Sequence, residues 1–156
     1  MTIAPTVAAC LGRAGIQPEI VTHPHTPSAS RTAQASHVSG DRVAKAVLLK
    51  DETGYLLAVL SASHHLDLEA LRGLTGRSLT MATEEEIGTT FHDCEIGAVP
   101  PIGAAYGLPA VVDDRLVREA EIYLEGGDHA TLLRVTREQF AELMQGAQAG
   151  SFSLHQ

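Results

Sequence analysis

The sequence predicts a single mixed α/β domain, its sheet mostly antiparallel and wrapped by short helices. Three observations lead there. Two hairpin signatures, Thr53-Gly54 and Gly126-Gly127-Asp128, each join a pair of apolar runs. Two capping boxes, Thr83 with Glu86 and Thr136 with Gln139, each open a short amphipathic segment. Strand-like and helix-like stretches are interspersed without the regular alternation of parallel βαβ units. With 156 residues, 44% hydrophobic and 19% charged, the chain suffices for one domain, 1–156, with a real core.

Residues 4–15 read as a helix ending at Gly15, and Glu19–Thr22 as a first strand. His23-Pro24-His25-Thr26-Pro27-Ser28 is a loop, because neither proline suits a helix interior or a central strand. Residues 30–38 form a second, small helix closed by Gly40. Val43–Lys50 is an apolar, β-branched strand that turns at Thr53-Gly54 into Tyr55–Leu60. Asp67 is a candidate N-cap for a helix to Leu74, Leu79–Ala82 is a short strand, and Thr83 opens a helix to Phe91. Gly97 to Gly107 is dense in glycine and proline. Ala110–Val112, Glu121–Leu124 and Ala130–Val135 are strands, and a last helix turns Phe140, Leu143 and Met144 inward.

The chain has only two lysines, and Lys45 is out of place. Strand alternation puts it on one face with Val43, Val47 and Leu49, while Lys50 falls on the other. A lysine there loses hydration unless it snorkels out or meets an anion. It marks either a wet strand edge or a cation aimed into a pocket for a phosphate or carboxylate. The segment Gly97-Ala98-Val99-Pro100-Pro101-Ile102-Gly103 is the second anomaly. Its prolines fix φ, and the N–H groups of Gly97, Ala98 and Val99 are available to an anion or a developing oxyanion. An ordinary rigid turn has the same composition.

Other reactive groups offer less. Among eight histidines, His23-x-His25, His64-His65 and His92-Asp93-Cys94 raise the question of a metal, but none has a known ligand spacing. No metal or other cofactor is expected. Cys10 and Cys94 lie far apart and read as free thiols of a reducing compartment, with Cys94 a buried structural cysteine rather than a nucleophile. Glu84-Glu85-Glu86 suits the first turn of a helix, and Asp113-Asp114 is either a paired acid or a turn.

A net charge of −8 disfavours coating DNA or an anionic membrane, and three Tyr, three Phe and no Trp argue against a base-stacking platform. Arg31, Arg42 and Lys45 are the cations nearest the anomalous strand, so any nucleic-acid partner must be gripped locally. No apolar run has membrane-spanning length, and Met1-Thr2-Ile3-Ala4-Pro5 lacks the character of a signal peptide. The cytoplasm is the expected compartment.

Taken together, Lys45 within Val-Ala-Lys-Ala-Val-Leu-Leu, the Gly97-x-x-x-Pro101 loop followed by Gly103, and Gly126-Gly127-Asp128 resemble the YbaK/EbsC family. These are free-standing relatives of the editing domain of bacterial prolyl-tRNA synthetase, and the resemblance runs from about His23 to Leu143. It implies a metal-independent deacylase that hydrolyses the ester of a small amino acid mischarged on tRNA, tRNAPro first among them. The aminoacyl-tRNA 3′ end is then the partner, with prolyl-tRNA synthetase a candidate second one. By the match, Lys45 holds the terminal nucleotide, while the Gly97–Pro101 backbone binds the aminoacyl group and positions water. Ala46, Ala98, Val99, Pro100, Ile102 and Gly103 bound the pocket, joined by His23, Asp128 and His129. Ala46 departs from alanine-editing members, which carry Asn there, and Ala98 stands where many have a second Gly. Two rival readings are a non-catalytic binding module on the same fold and a hydrolase using a metal on His23, His25 and one of His64, His65 or His92.

Overall fold

A computed structural model describes residues 3–155. Helix α1 (Pro5–Ala14) leads to strand β1 (Glu19–Thr22) and helix α2 (Ala29–Ala35), which Ser28 caps by accepting from the Arg31 N–H. A 3₁₀ turn at Gly40–Arg42 then feeds the hairpin β2 (Ala44–Asp51) and β3 (Gly54–Ser61). Strand β4 (His64–Leu66), helix α3 (Leu68–Thr75), strand β5 (Thr80–Met81) and helix α4 (Glu84–Thr90) follow. After the Gly/Pro loop come β6 (Ala110–Asp113), α5 (Asp114–Val117), the hairpin β7 (Glu121–Glu125) and β8 (Thr131–Thr136), α6 (Arg137–Leu143), β9 (Gln148–Gly150) and β10 (Ser153–His155).

The largest sheet runs β5-β2-β3-β6-β9, antiparallel in its first two pairings and parallel in its last two. A second sheet, β1-β8-β7, and a small β10-β4 pair are antiparallel. Alternation along β2 and β3 supplies two cores at once. Ala44, Leu48, Leu57 and Val59 face the larger core with α1, α6 and the β7–β8 hairpin. Leu49, Leu56, Ala58 and Leu60 face the smaller one, closed by Leu71, Leu79 and Phe152. Burying each such leucine contributes about 1.5–3 kcal/mol, so this hairpin is the spine of the molecule.

The expected mixed, mostly antiparallel α/β fold is present. Local differences have local causes. Helix α2 spans Ala29–Ala35 rather than 30–38, because His37 turns the chain with φ +57°, and Gly40 begins the 3₁₀ turn. The Asp113-Asp114 pair is neither a turn nor a paired acid. Asp113 is buried, caps α5 by accepting from the Arg115 N–H at 2.9 Å, and accepts from the Phe152 N–H at 3.0 Å. Strands β4, β9 and β10 are three residues each, too short for alternation to announce them. Among the described residues no helix is long and apolar enough to cross a membrane.

Three carboxylates hold the periphery. Glu86 accepts from Lys50 Nζ at 2.8 Å, from the Thr83 N–H and from Tyr55 OH, and these bonds hold it down to about 2. Asp51 accepts two hydrogen bonds from Arg77, which with Thr53 keep it well below the usual carboxylate range. Burial works against ionisation of Asp93, but hydrogen bonds from Thr6, Tyr106 and Cys94 outweigh it and hold that acid down to about 2. All three folded values lie below those of the unfolded chain, so their stabilisation is complete above about pH 5 and is lost as pH falls toward 2. Thermal melts from neutral pH downward should show a flat plateau and then a steep drop. Glu86→Gln should lower the midpoint at neutral pH and converge with the parent near pH 2; parallel curves throughout would refute the assignment.

Candidate functional site

Strand β5 pairs with β2 only at Leu49 and Lys50, so the first half of β2 has its side away from β3 free of it. The β7–β8 hairpin approaches that half, bridging at Val43 to Tyr123, and a cavity of about 190 Å³ remains between them. Its walls are Val43, Ala44, Lys45 and Ala46 of the strand, Ser28, Ala29 and Thr32 of α2, Gly97 and Val99 of the Gly/Pro loop, and Glu125, His129 and Leu132 of the hairpin. Drug-sized ligands occupy sites of about 300–1,000 Å³, so this one suits a much smaller moiety.

Lys45 stands opposite Leu60 across the hairpin, in alternation with Val47 and Leu49, as its spacing implied. It is half-buried, and among the described residues it has neither a hydrogen bond nor an ion pair. Burial pushes its pKa below the usual lysine value, because nothing nearby repays the lost hydration. Arg42, by contrast, is engaged with Glu119 at 3.3 Å and Glu121 at 4.0 Å. The one other charged side chain in the cavity wall is Glu125. Its Oε2 accepts from the N–H groups of Gly127 at 2.8 Å, Asp128 at 3.2 Å and His129 at 3.2 Å.

That turn also sets the Gly/Pro loop. His129 sits at φ +60°, a conformation that costs a non-glycine residue about 1–2 kcal/mol, and holds it through the bond to Glu125. From there its Nε2 hydrogen-bonds the Ile96 carbonyl at 2.7 Å, and its ring packs edge-on against His25 at 5.1 Å. A Cβ on Gly97 would lie 3.7 Å from the same ring, and Gly97 itself has φ +81°, which favours glycine. Of the three amides that the loop was expected to present, Ala98 is not available. Its N–H donates to the Glu95 carbonyl at 3.0 Å and the residue is buried. The amides of Gly97 and Val99 have no acceptor among the described residues.

Five of the residues expected from the sequence line the cavity: Lys45, Ala46, Gly97, Val99 and His129. Ala98, Pro100, Pro101, Ile102 and Gly103 of the same loop are buried and do not line the wall. Gly103 is needed for packing, since a Cβ there would come within 2.9 Å of the Leu108 carbonyl oxygen. Asp128 accepts from the Ala130 N–H and Thr131 Oγ1 and shapes the turn from outside the wall. His23 is buried with Nδ1 2.7 Å from the Pro24 carbonyl oxygen. Ser28, Ala29, Thr32, Val43, Ala44, Glu125 and Leu132 were not among the expected site residues. Only Glu125 carried a signal, an acid ending a strand directly before Gly-Gly.

The histidine pairs do not converge. Among the described residues no three His, Cys, Asp or Glu side chains are grouped to hold a metal ion. Cys94 packs with its Sγ 3.2 Å from Tyr106 Oη, and burial pushes its thiol up to about 11. It is therefore a poor thiolate near neutrality. In Cys10→Ser protein, iodoacetamide should alkylate Cys94 slowly at about pH 7.5 and much faster only as pH approaches 11; rapid neutral labelling would contradict this environment.

Comparison with known proteins places this geometry. The model of the aminoacyl-tRNA editing domain matches residues 23–143. The crystal structure of a candidate trans-editing enzyme for prolyl tRNA synthetase is 30% identical, covers 98% of this chain and 99% of its own, and superposes with a TM-score of 0.84. A scaffold protein used in epitope backbone grafting by computational design is 26% identical over 98% of this chain and 97% of its own, with a TM-score of 0.83. A candidate signal transduction protein from Marinobacter aquaeolei VT8 is 25% identical over 96% of this chain and 30% of its own, with a TM-score of 0.77. No curated protein matches. Since the matched segment takes in the Lys45 strand, the Gly97–Pro101 loop and the Glu125 turn, the chain belongs to the aminoacyl-tRNA editing domain family.

Proposed function

We propose that this editing domain hydrolyses, in trans, the ester between a small amino acid and the 3′ end of a mischarged tRNA. The observation that carries this reading is Lys45, a half-buried cation with no counter-ion among the described residues, in the wall of a cavity of about 190 Å³. Such a group is destabilising until an anion arrives, and the 3′-terminal nucleotide brings a phosphate. tRNAPro is the proposed substrate carrier and prolyl-tRNA synthetase the proposed partner, by analogy with the 30% identical structure.

Within this reading each part has a task. Lys45 binds the phosphate or ribose of the terminal nucleotide. Water attacks the ester carbonyl, the carbon–oxygen bond to the ribose breaks, and the ribose hydroxyl leaves with a proton. The amides of Gly97 and Val99 are the donors left to meet the negative charge that gathers on the carbonyl oxygen, while Pro100 and Pro101 keep that backbone from reorganising. Cys94 is not needed as a nucleophile, and a tRNA ribose hydroxyl can assist the water. Ala46, Val99 and His129 set the size of the side chain admitted, beside the buried Ala98, Ile102 and Gly103. A second pocket is required because one missing methylene is worth only about 1–3 kcal/mol to a synthetase.

The test is deacylation of alanyl-, cysteinyl-, seryl- and 2-aminobutyryl-tRNAPro with EDTA present. Hydrolysis of one or two is expected, and Lys45→Ala should abolish it without lowering the thermal midpoint, because removing an uncompensated cation relieves desolvation. Full turnover by that variant would end this mechanism. Activity abolished by EDTA and restored by zinc would favour metal chemistry instead. Ala46→Leu narrows the cavity and should cut hydrolysis of the largest accepted amino acid by about tenfold or more relative to the smallest; an unchanged ratio would remove Ala46 from the wall that measures size.

A further inference from the structure

The cavity wall holds two opposite charges that do not pair with each other. Among the described residues Lys45 has no hydrogen-bond or ion-pair partner, Glu125 included. Glu125 is built in firmly. Three successive turn amides converge on Oε2, fixing the carboxylate, while Oε1 has no partner among the described residues. Glu125 also lines the cavity whose opposite charge is Lys45, a position that closing the Gly126–His129 turn does not by itself require. The rest of that wall is small or apolar apart from Ser28, Thr32 and His129, and His129 is already committed to Ile96.

A ligand that satisfies both charges carries an anion and a cation a short distance apart. An aminoacyl ester on a terminal nucleotide has this character, with the phosphate of the nucleotide on one side of the ester and the α-ammonium of the amino acid on the other. We infer that Glu125 is a specificity residue that receives the free α-ammonium group of the aminoacyl moiety on Oε1. This rests on the deacylase reading and refines it. The cavity then selects for size through Ala46 and for a free amine through Glu125, so that esters whose amine is acylated are refused. N-blocked aminoacyl-tRNA and peptidyl-tRNA fall in that refused class. The amide cage matters because a carboxylate held in place loses little freedom when the ammonium arrives.

The experiment pairs binding with turnover. The probes are 3′-alanylamino-3′-deoxyadenosine 5′-phosphate, whose amide resists hydrolysis, and its N-acetyl form, with titration calorimetry as the readout. The parent protein should bind the free-amine probe about tenfold or more tightly than the acetylated one. In Glu125→Gln, which keeps an oxygen for the three turn amides, that ratio should fall close to one. Equal binding of the two probes by the parent protein, or an undiminished preference in Glu125→Gln, overturns the inference. If the variant fails to fold, the parent protein's own ratio still decides the matter. Turnover of alanyl-tRNA and N-acetylalanyl-tRNA separates this inference from the reading beneath it. Hydrolysis of both at one rate leaves the deacylase standing and removes Glu125 from specificity. Amine-dependent binding without hydrolysis of any mischarged tRNA does the reverse, and the absence of both overturns the two together.

Discussion

The β2–β3 ladder is the constraint on which the rest depends. Eight consecutive pairings, from Ala44 with Ser61 to Asp51 with Gly54, lock the register, and a slip of one residue would exchange the two faces. Both faces are covered, so a slip of one residue would put Lys45 in the place of Ala44 and Lys50 in that of Leu49. The two hydrophobic clusters therefore determine where the lysine stands. They also determine its company, since the same strand supplies Ala44 and Ala46 to the cavity.

A second dependence runs through the β7–β8 turn. Glu125 gathers three amides, which holds His129 at a positive φ, which in turn lets the imidazole reach the Ile96 carbonyl and lie against Gly97. The Gly/Pro loop is thus clasped from outside by a hairpin distant in sequence, and its stiffness does not come from the prolines alone. Thr26 continues the clasp. Its N–H donates to the His129 carbonyl at 3.1 Å, and its hydroxyl lies 2.5 Å from that of Thr32 on α2. The Glu125 turn, Thr26 and Thr32 of α2 are thus joined by one run of hydrogen bonds along the cavity.

Electrostatics explain how an acidic chain belongs to a family of tRNA-editing domains. A net charge of −8 repels a polyanion at long range, and at physiological salt that repulsion is screened beyond about 8 Å. Three of the nine arginines are spent on carboxylates of this chain: Arg42 on Glu119, Arg77 on Asp51, Arg134 on Glu19 and Glu121. Lys45 is not. Its burial lowers its pKa, and no group among the described residues offsets that cost.

Much was legible in the sequence because it was written in local rules. Period-two alternation announced β2 and β3 and set Lys45 against its apolar neighbours. The two capping boxes opened α4 and α6 at the expected residues, and Gly-Gly-Asp turned β7 into β8. The strands of three residues escaped, since Gln148–Gly150 and Ser153–His155 exist only because β6 and β4 offer edges to them. Membership of the wall was likewise a tertiary matter. Ala98 looked like a free donor although Glu95 takes its N–H, and Glu125 joins the wall only because its hairpin meets β2. Chain-local chemistry determined which residues were unusual; only packing between distant segments decided which of them face the same 190 Å³ of space, because periodicity and turn preference act over a few residues while a cavity is enclosed by segments a hundred residues apart.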